Sequence, residues 1–149
     1  MTQVRESMLR RQRGFSLIEL MIALAIVAIL LGVALPAYNN SVDRGRQGEA
    51  MSALLEGAQA LERYYSANGR YTDTNGNLAA VFPTQVPASG TAYYTIAPVS
   101  GSVGANAFTL RATRAGTMAG DACGDFELAH TGRRQLSGNT RTVEQCWRR

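Results

Sequence analysis

The stretch Gly14-Phe15-Ser16-Leu17-Ile18-Glu19 sets one carboxylate inside a run that is otherwise apolar. From Phe15 to Leu35 the chain has 21 residues, of which only Ser16 and Glu19 are polar. An acidic side chain in hydrocarbon costs about 2.5 to 3.5 kcal/mol on insertion scales and generally marks function. Glu19 therefore needs a partner. A cut after Gly14 would create one, an α-amino group on Phe15 one helical turn away. If subunits packed with an axial stagger, Glu19 of one would meet the amine of the next. Removing either partner of such a pair in low dielectric strands the other, at about 3 to 5 kcal/mol. The pair would set register between helices that otherwise offer only featureless apolar surface.

The other residues with chemical potential are few. Cys123 and Cys146 could join in a disulfide, closing a loop worth about 3 to 4 kcal/mol on the chain-entropy account. A metal site built on them with His130 lacks a fourth ligand at suitable spacing. His130 is the only histidine, and no serine or free cysteine motif accompanies it as nucleophile. Asp73-Thr74-Asn75-Gly76-Asn77 resembles part of a calcium loop, but its glycine is misplaced and the bidentate glutamate is missing, so a solvated turn is expected. Arg133-Arg134 and Arg148-Arg149 are expected to be solvated charges. No catalytic residue, metal site, cofactor or small-molecule substrate is expected.

The elements that position Glu19 follow from length and charge. A helix of 21 residues rises roughly 31 Å, the thickness of a bilayer core. Arg5, Arg10, Arg11 and Arg13 precede it against Glu6 alone, whereas eleven arginines face ten acids from Phe15 onward. The positive-inside rule puts residues 1–14 in the cytoplasm and everything after Pro36 outside it, where a disulfide is the default state of two cysteines. The near-neutral remainder argues against general nucleic-acid binding, and none is directly predicted. A secretory signal peptide cut near Gly32-Val33-Ala34 also fits the basic and apolar order. Its usual apolar core is only ~7 to 15 residues, however, and holds no carboxylate.

Beyond Pro36, Ala50, Leu54, Ala58, Leu61 and Tyr65 recur at steps of three and four, the mark of an amphipathic helix with a narrow buried stripe. Asn68-Gly69 should end it near Ser66 or Ala67. Gly32 and Pro36 are where a continuous helix would kink or loosen, although Pro36 could equally start a new helix. Tyr71 to Gly90 reads as a connecting loop with a short helical or extended piece around Leu78 to Phe82. Strands are expected at Ala92 to Ala97, Ala107 to Ala115 and Asp125 to Thr131, forming an antiparallel meander covered by the helix. The fold class is α+β, a long N-terminal helix on a small antiparallel sheet of three to four strands, with a disulfide-closed C-terminal region. Its parts are 1–14, 15–35, 36–67 and a headpiece at 68–149.

The residues from Gly14 to Glu19, the apolar helix and Pro36-Ala37-Tyr38 resemble the class III signal of type IV prepilins. That resemblance implies cleavage after Gly14 by prepilin peptidase, N-methylation of Phe15 and a filament-assembly role for Glu19. Gln59-Ala60-Leu61-Glu62-Arg63-Tyr64-Tyr65, Asn68-Gly69-Arg70-Tyr71-Thr72, Cys123-Gly124 and Cys146-Trp147-Arg148 extend the likeness to PilE-type minor pilins of type IVa systems. It implies a pilin fold and a low-abundance subunit that helps to initiate pilus assembly, with other pilins and minor pilins as partners. Twitching motility, adhesion or DNA uptake would follow at one remove. The chain would sit in the bacterial inner membrane as a single pass, headpiece in the periplasm and contacting lipid, before joining a surface filament. A type II secretion pseudopilin shares these features. A membrane-anchored or secreted periplasmic binding domain that never polymerises is the alternative from another class.

Overall fold

The computed structural model describes residues 14–147. Residues 1–13 of the leader expected at 1–14, and the terminal pair Arg148-Arg149, lie outside the described residues. Contacts divide the chain after Asn40. One helix, α1 (Leu17–Asn68), belongs to both units and continues through Pro36. The expectation that Pro36 might instead begin a helix is thus corrected. Proline has no N–H for the carbonyl four residues back, which here belongs to Gly32, and its ring crowds that same turn. Gly32 carries no side chain, and nothing outside the helix's own backbone lies within 4 Å of where its Cβ would be.

In the second unit the rear half of α1 lies on a five-stranded antiparallel sheet: β1 (Gln85–Val86), β2 (Tyr94–Pro98), β3 (Thr109–Arg114), β4 (Asp125–Ala129) and β5 (Arg134–Ser137). The strands follow chain order, each pairing with the next as in a meander. Three of them match the expected strands, and two short edge strands bring the sheet to five in place of three or four. β1 has two residues between prolines 83 and 87, and β5 alternates no apolar residues, so neither carries the periodicity that identifies a strand. The compact second unit starts at Ser41 and so takes in the rear part of α1.

Packing follows the alternation. Tyr94 and Ile96, Leu110 and Ala112, and Phe126 and Leu128 turn one face of β2, β3 and β4 toward α1 and are buried there, with Phe108 just before β3. On the other face Arg111 pairs with Glu127 at 2.7 Å, across strands that the ladder sets opposite one another. The stripe that α1 buries is Gln47, Ala50, Leu54, Gly57 and Leu61. Ala58 and Tyr65, expected on it, sit at its margin. Gly57 replaces Ala58 because a Cβ there would meet Leu110 and the Phe82 Cβ at 3.0 Å, so only the backbone fits beneath the loop. The helix ends where Asn68-Gly69 was expected to end it: Gly69 has φ of 68° and its N–H donates to the Tyr65 carbonyl at 2.7 Å.

The C-terminal segment is closed by a Cys123–Cys146 disulfide with Cα atoms 5.7 Å apart. Thr142 caps the short helix α2 (Val143–Cys146) in a reciprocal capping box with Gln145. Trp147 is then buried against Phe126, centroids 5.5 Å apart, and its indole N–H donates to the Gln135 carbonyl at 3.2 Å. Gly124 makes the approach of this segment possible. Its φ is 70°, and a Cβ would strike the Ser137 carbonyl oxygen and come within 2.8 Å of the Asn139 nitrogen.

Two aromatic residues tie α1 to the rest. Tyr71, stacked edge-on against Phe108, donates its hydroxyl to Glu62 at 2.7 Å. Burial, and then the Glu62 carboxylate, push its pKa up to about 12. Tyr94 and Gln47 both donate to Asp121, at 3.1 Å and 2.9 Å, which fixes the helix to the loop before the disulfide. Burial, and then Asp121, push the Tyr94 phenol up as well.

Two outcomes follow. Gly124→Ala should lower stability by about 3 kcal/mol or more through left-handed strain plus collision. Gly76→Ala, also left-handed but in open space, should cost only about 1 kcal/mol. Thermal unfolding of the two variants checks the contrast, and equal losses would contradict it. Because the folded pKa of Tyr71 is raised, its contribution is whole below the unfolded value near 10 and is lost as pH climbs through about 12. Stability should therefore decline over that window, and less steeply in Tyr71→Phe. A variant that follows the wild-type curve unchanged would refute the contribution.

Candidate functional site

The first site is the start of α1. Gly14 to Ser16 precede the helix, and the Leu20 N–H donates to the Ser16 carbonyl at 3.2 Å, closing its first turn. Phe15 thus stands just ahead of the first helical turn, which holds Glu19, and the partial positive charge of a helix N-terminus favours a carboxylate there. Every residue from Gly14 to Ser41 is exposed. Phe15 is 78% exposed, Ile29 70% and Val33 71%. Of the 16 large exposed hydrophobics among the described residues, only Val81 lies outside Phe15–Tyr38. An apolar surface this extensive and continuous is not stable in water and requires lipid or other protein around it. Among the described residues this is the one helix long and apolar enough to cross a membrane.

The sequence positions Gly14, Phe15 and Glu19 together within the opening turn and a half, and Gly32 and Pro36 within one turn of each other farther along. Cys123 and Cys146 are brought together from opposite ends of the closing segment. His130 is exposed just past β4, with its ring 6.1 Å from that of Phe108. The Asp73 carboxylate accepts the Asn75 and Asn77 N–H groups at 2.8 Å and 3.0 Å, closing its own turn. Among the described residues no cluster of three or more histidine, cysteine or acidic groups forms.

Sequence reasoning did not find the polar node around Asp121, nor Tyr93, which donates to Glu49 beneath the Arg46 guanidinium 5.5 Å from its ring. That hydrogen bond, and burial after it, raise the Tyr93 pKa. No local pattern announces either, because the partners are separated by 44 residues for Glu49 and Tyr93 and by 74 for Gln47 and Asp121.

Comparison with known proteins agrees with this geometry. Residues 9–35 match the prokaryotic N-terminal methylation motif, and residues 36–127 match the family described as type IV minor pilin ComP, DNA uptake sequence receptor. A type IV major pilin protein PilE1 of Neisseria gonorrhoeae is 44% identical over 73 residues, 48% of this chain and 44% of that one. Fimbrial protein EcpC of Eikenella corrodens is 47% identical over 66 residues, 43% of this chain and 42% of the relative. The chain thus spans less than half the length of these curated relatives. In structure, the minor pilin PilV of Neisseria meningitidis superposes with a TM-score of 0.52 over 69% of this chain and 94% of that one, at 22% identity, which supports the fold. A long helix with an uncovered apolar front half, a rear half laid on an antiparallel meander and a disulfide-closed end is the architecture of a structural subunit, and the chain belongs to the type IV minor pilin ComP family.

Proposed function

We propose that the chain is a minor pilin of a type IV pilus, anchored first in the bacterial inner membrane with its headpiece in the periplasm and then drawn into a surface filament. Prepilin peptidase cuts after Gly14, and Phe15 becomes the N-methylated terminus. Glu19 then sets register by meeting the terminal amine of an adjoining pilin. The observation that carries this reading is the uncovered apolar surface of Phe15–Tyr38, in which Glu19 is the sole charge and lies four residues after Phe15. Lipid satisfies the apolar surface, but only a partner with a positive end satisfies the carboxylate. Gly32 and Pro36 give the helix a loosened turn at which it can bend as subunits pack. In this role the subunit helps to prime assembly and serves motility, adhesion or DNA uptake indirectly.

A second reading, direct reception of DNA, is favoured by the description of the matching family and by the exposed arginines 63, 70, 133, 134 and 141. It predicts duplex binding that weakens steeply with salt.

The Glu19→Val chain should insert in the membrane at wild-type level, because a charge has been removed from hydrocarbon, yet fall by about tenfold or more in sheared filaments, the scale expected from stranding one partner of a buried pair. Immunoblots of membrane and sheared fractions measure both. Equal recovery of the variant in filaments would refute the register role.

A further inference from the structure

An asparagine followed by glycine is a chemically weak point, because glycine has no Cβ to keep its nitrogen away from the asparagine side chain. The chain holds two such pairs, Asn68-Gly69 and Asn75-Gly76. Both are exposed, so access of water does not distinguish them. Their backbones do. Asn68 is the last residue of α1, where a side chain tilts back toward the helix start and away from the nitrogen that follows it. Its Nδ2 donates to the Tyr64 carbonyl at 2.9 Å, and the Gly69 N–H donates to the Tyr65 carbonyl at 2.7 Å. Attack by that nitrogen would first require the end of the helix to open. Asn75 lies in the tip of a turn outside any helix. It joins that turn through its backbone N–H, held by the Asp73 carboxylate at 2.8 Å. The Gly76 N–H reaches the Asp73 carbonyl at 3.3 Å, at the long end for such a bond, and nothing lies within 4 Å of where a Gly76 Cβ would be.

We propose that Asn75 is a site of spontaneous covalent modification, at which the Gly76 nitrogen closes on the side-chain amide and the turn is converted to aspartate and isoaspartate. The Gly76 nitrogen gives its proton to hydroxide and bonds to Cγ of Asn75. The bond from Cγ to Nδ2 breaks, and Nδ2 leaves as ammonia with a proton from solvent. One water then opens the five-membered imide. Addition at the side-chain carbonyl restores the ordinary main chain with an aspartate, whereas addition at the main-chain carbonyl leaves an isoaspartate, through whose side chain the backbone now runs. Both routes consume one water, release one ammonia and leave a carboxylate two residues from that of Asp73, where the like charges repel. The isoaspartate also lengthens by one carbon a turn that is closed by the Thr72–Leu78 bridge and by the Asp73 N–H on the Asn77 carbonyl at 2.8 Å. Tyr71 and Leu78 at its base are buried, and Tyr71 is the residue that donates to Glu62 of α1. Modification at the tip thus loosens a tie between the loop and the helix, and it runs in one direction as the chain ages.

The test uses the full-length chain in detergent, held at physiological temperature and mildly alkaline pH and sampled over weeks. Peptide mapping reads the gain of one mass unit at each asparagine, and isoaspartyl methyltransferase with labelled S-adenosylmethionine counts isoaspartate. Asn75 should convert at least about tenfold faster than Asn68, which must wait for local opening of the helix end. In denaturant the two rates should converge. Equal rates in the folded chain, or a gap that persists in denaturant, would overturn the structural basis of the assignment, and an Asn75 that stays intact would overturn the site itself. Asn75→Gln, which would have to close a larger ring, should stay unmodified and keep through ageing the melting temperature it has when fresh, while the wild type loses several degrees. An aged, converted wild type that melts as it did when fresh would overturn the link to Tyr71.

Discussion

The dependence of this chain on other molecules starts from one constraint, an apolar helix surface that its own fold leaves bare. Between Phe15 and Tyr38 no described side chain is covered, and burying such a surface elsewhere is worth about 25 cal/mol for every Å² removed from water. That gain dwarfs any single contact in the headpiece, so in the role we propose the front of α1 exchanges one apolar environment for another, lipid for protein. Between two such environments the hydrophobic effect is nearly neutral and gives little direction. A lone carboxylate changes that balance, because lipid cannot satisfy it and a positive terminus can. In the role we propose, Glu19 converts a non-specific anchor into an element with a preferred neighbour.

The headpiece solves a different problem, that of giving a helix a rigid cover with few residues. Five short strands present one buried face, and the helix contributes Ala50, Leu54, Gly57 and Leu61 against it. Polar anchors then fix what apolar packing leaves free to slide: Gln47 to Asp121, Glu62 to Tyr71, and Glu49 to Tyr93. Each ties a different turn of the helix to a different loop, and among the described residues no buried side-chain polar atom is left without a partner. The disulfide and Trp147 hold the last segment on the edge formed by β5, where a row of open backbone groups would otherwise be exposed.

Much of this was legible in the sequence because it is local. Apolar length, the glutamate within it and the arginines before it define the anchor, and Asn68-Gly69 marks the end of α1. Phe108, Leu110 and Ala112 announce β3 by alternation. What was not legible depends on distant partners. Gly57 replaces Ala58 on the buried stripe only because Phe82 and Leu110 arrive there from the loop and the sheet. β1 and β5 are strands by virtue of their neighbours, since Gln85-Val86 and Arg134-Gln135-Leu136-Ser137 have no pattern of their own. Cys123 and Cys146 were readable as a pair only after the charge distribution had put them outside the cytoplasm.

The mass of the N-terminal peptide, taken from the chain isolated from cells that make filaments, tests the central claim most directly. Should Glu19 be tolerated in hydrocarbon because a newly made positive end meets it, that peptide begins at Phe15 and carries one added methyl group. A working chain in filaments that still begins with the arginine-rich leader would contradict it, for then no amine stands where the carboxylate needs one.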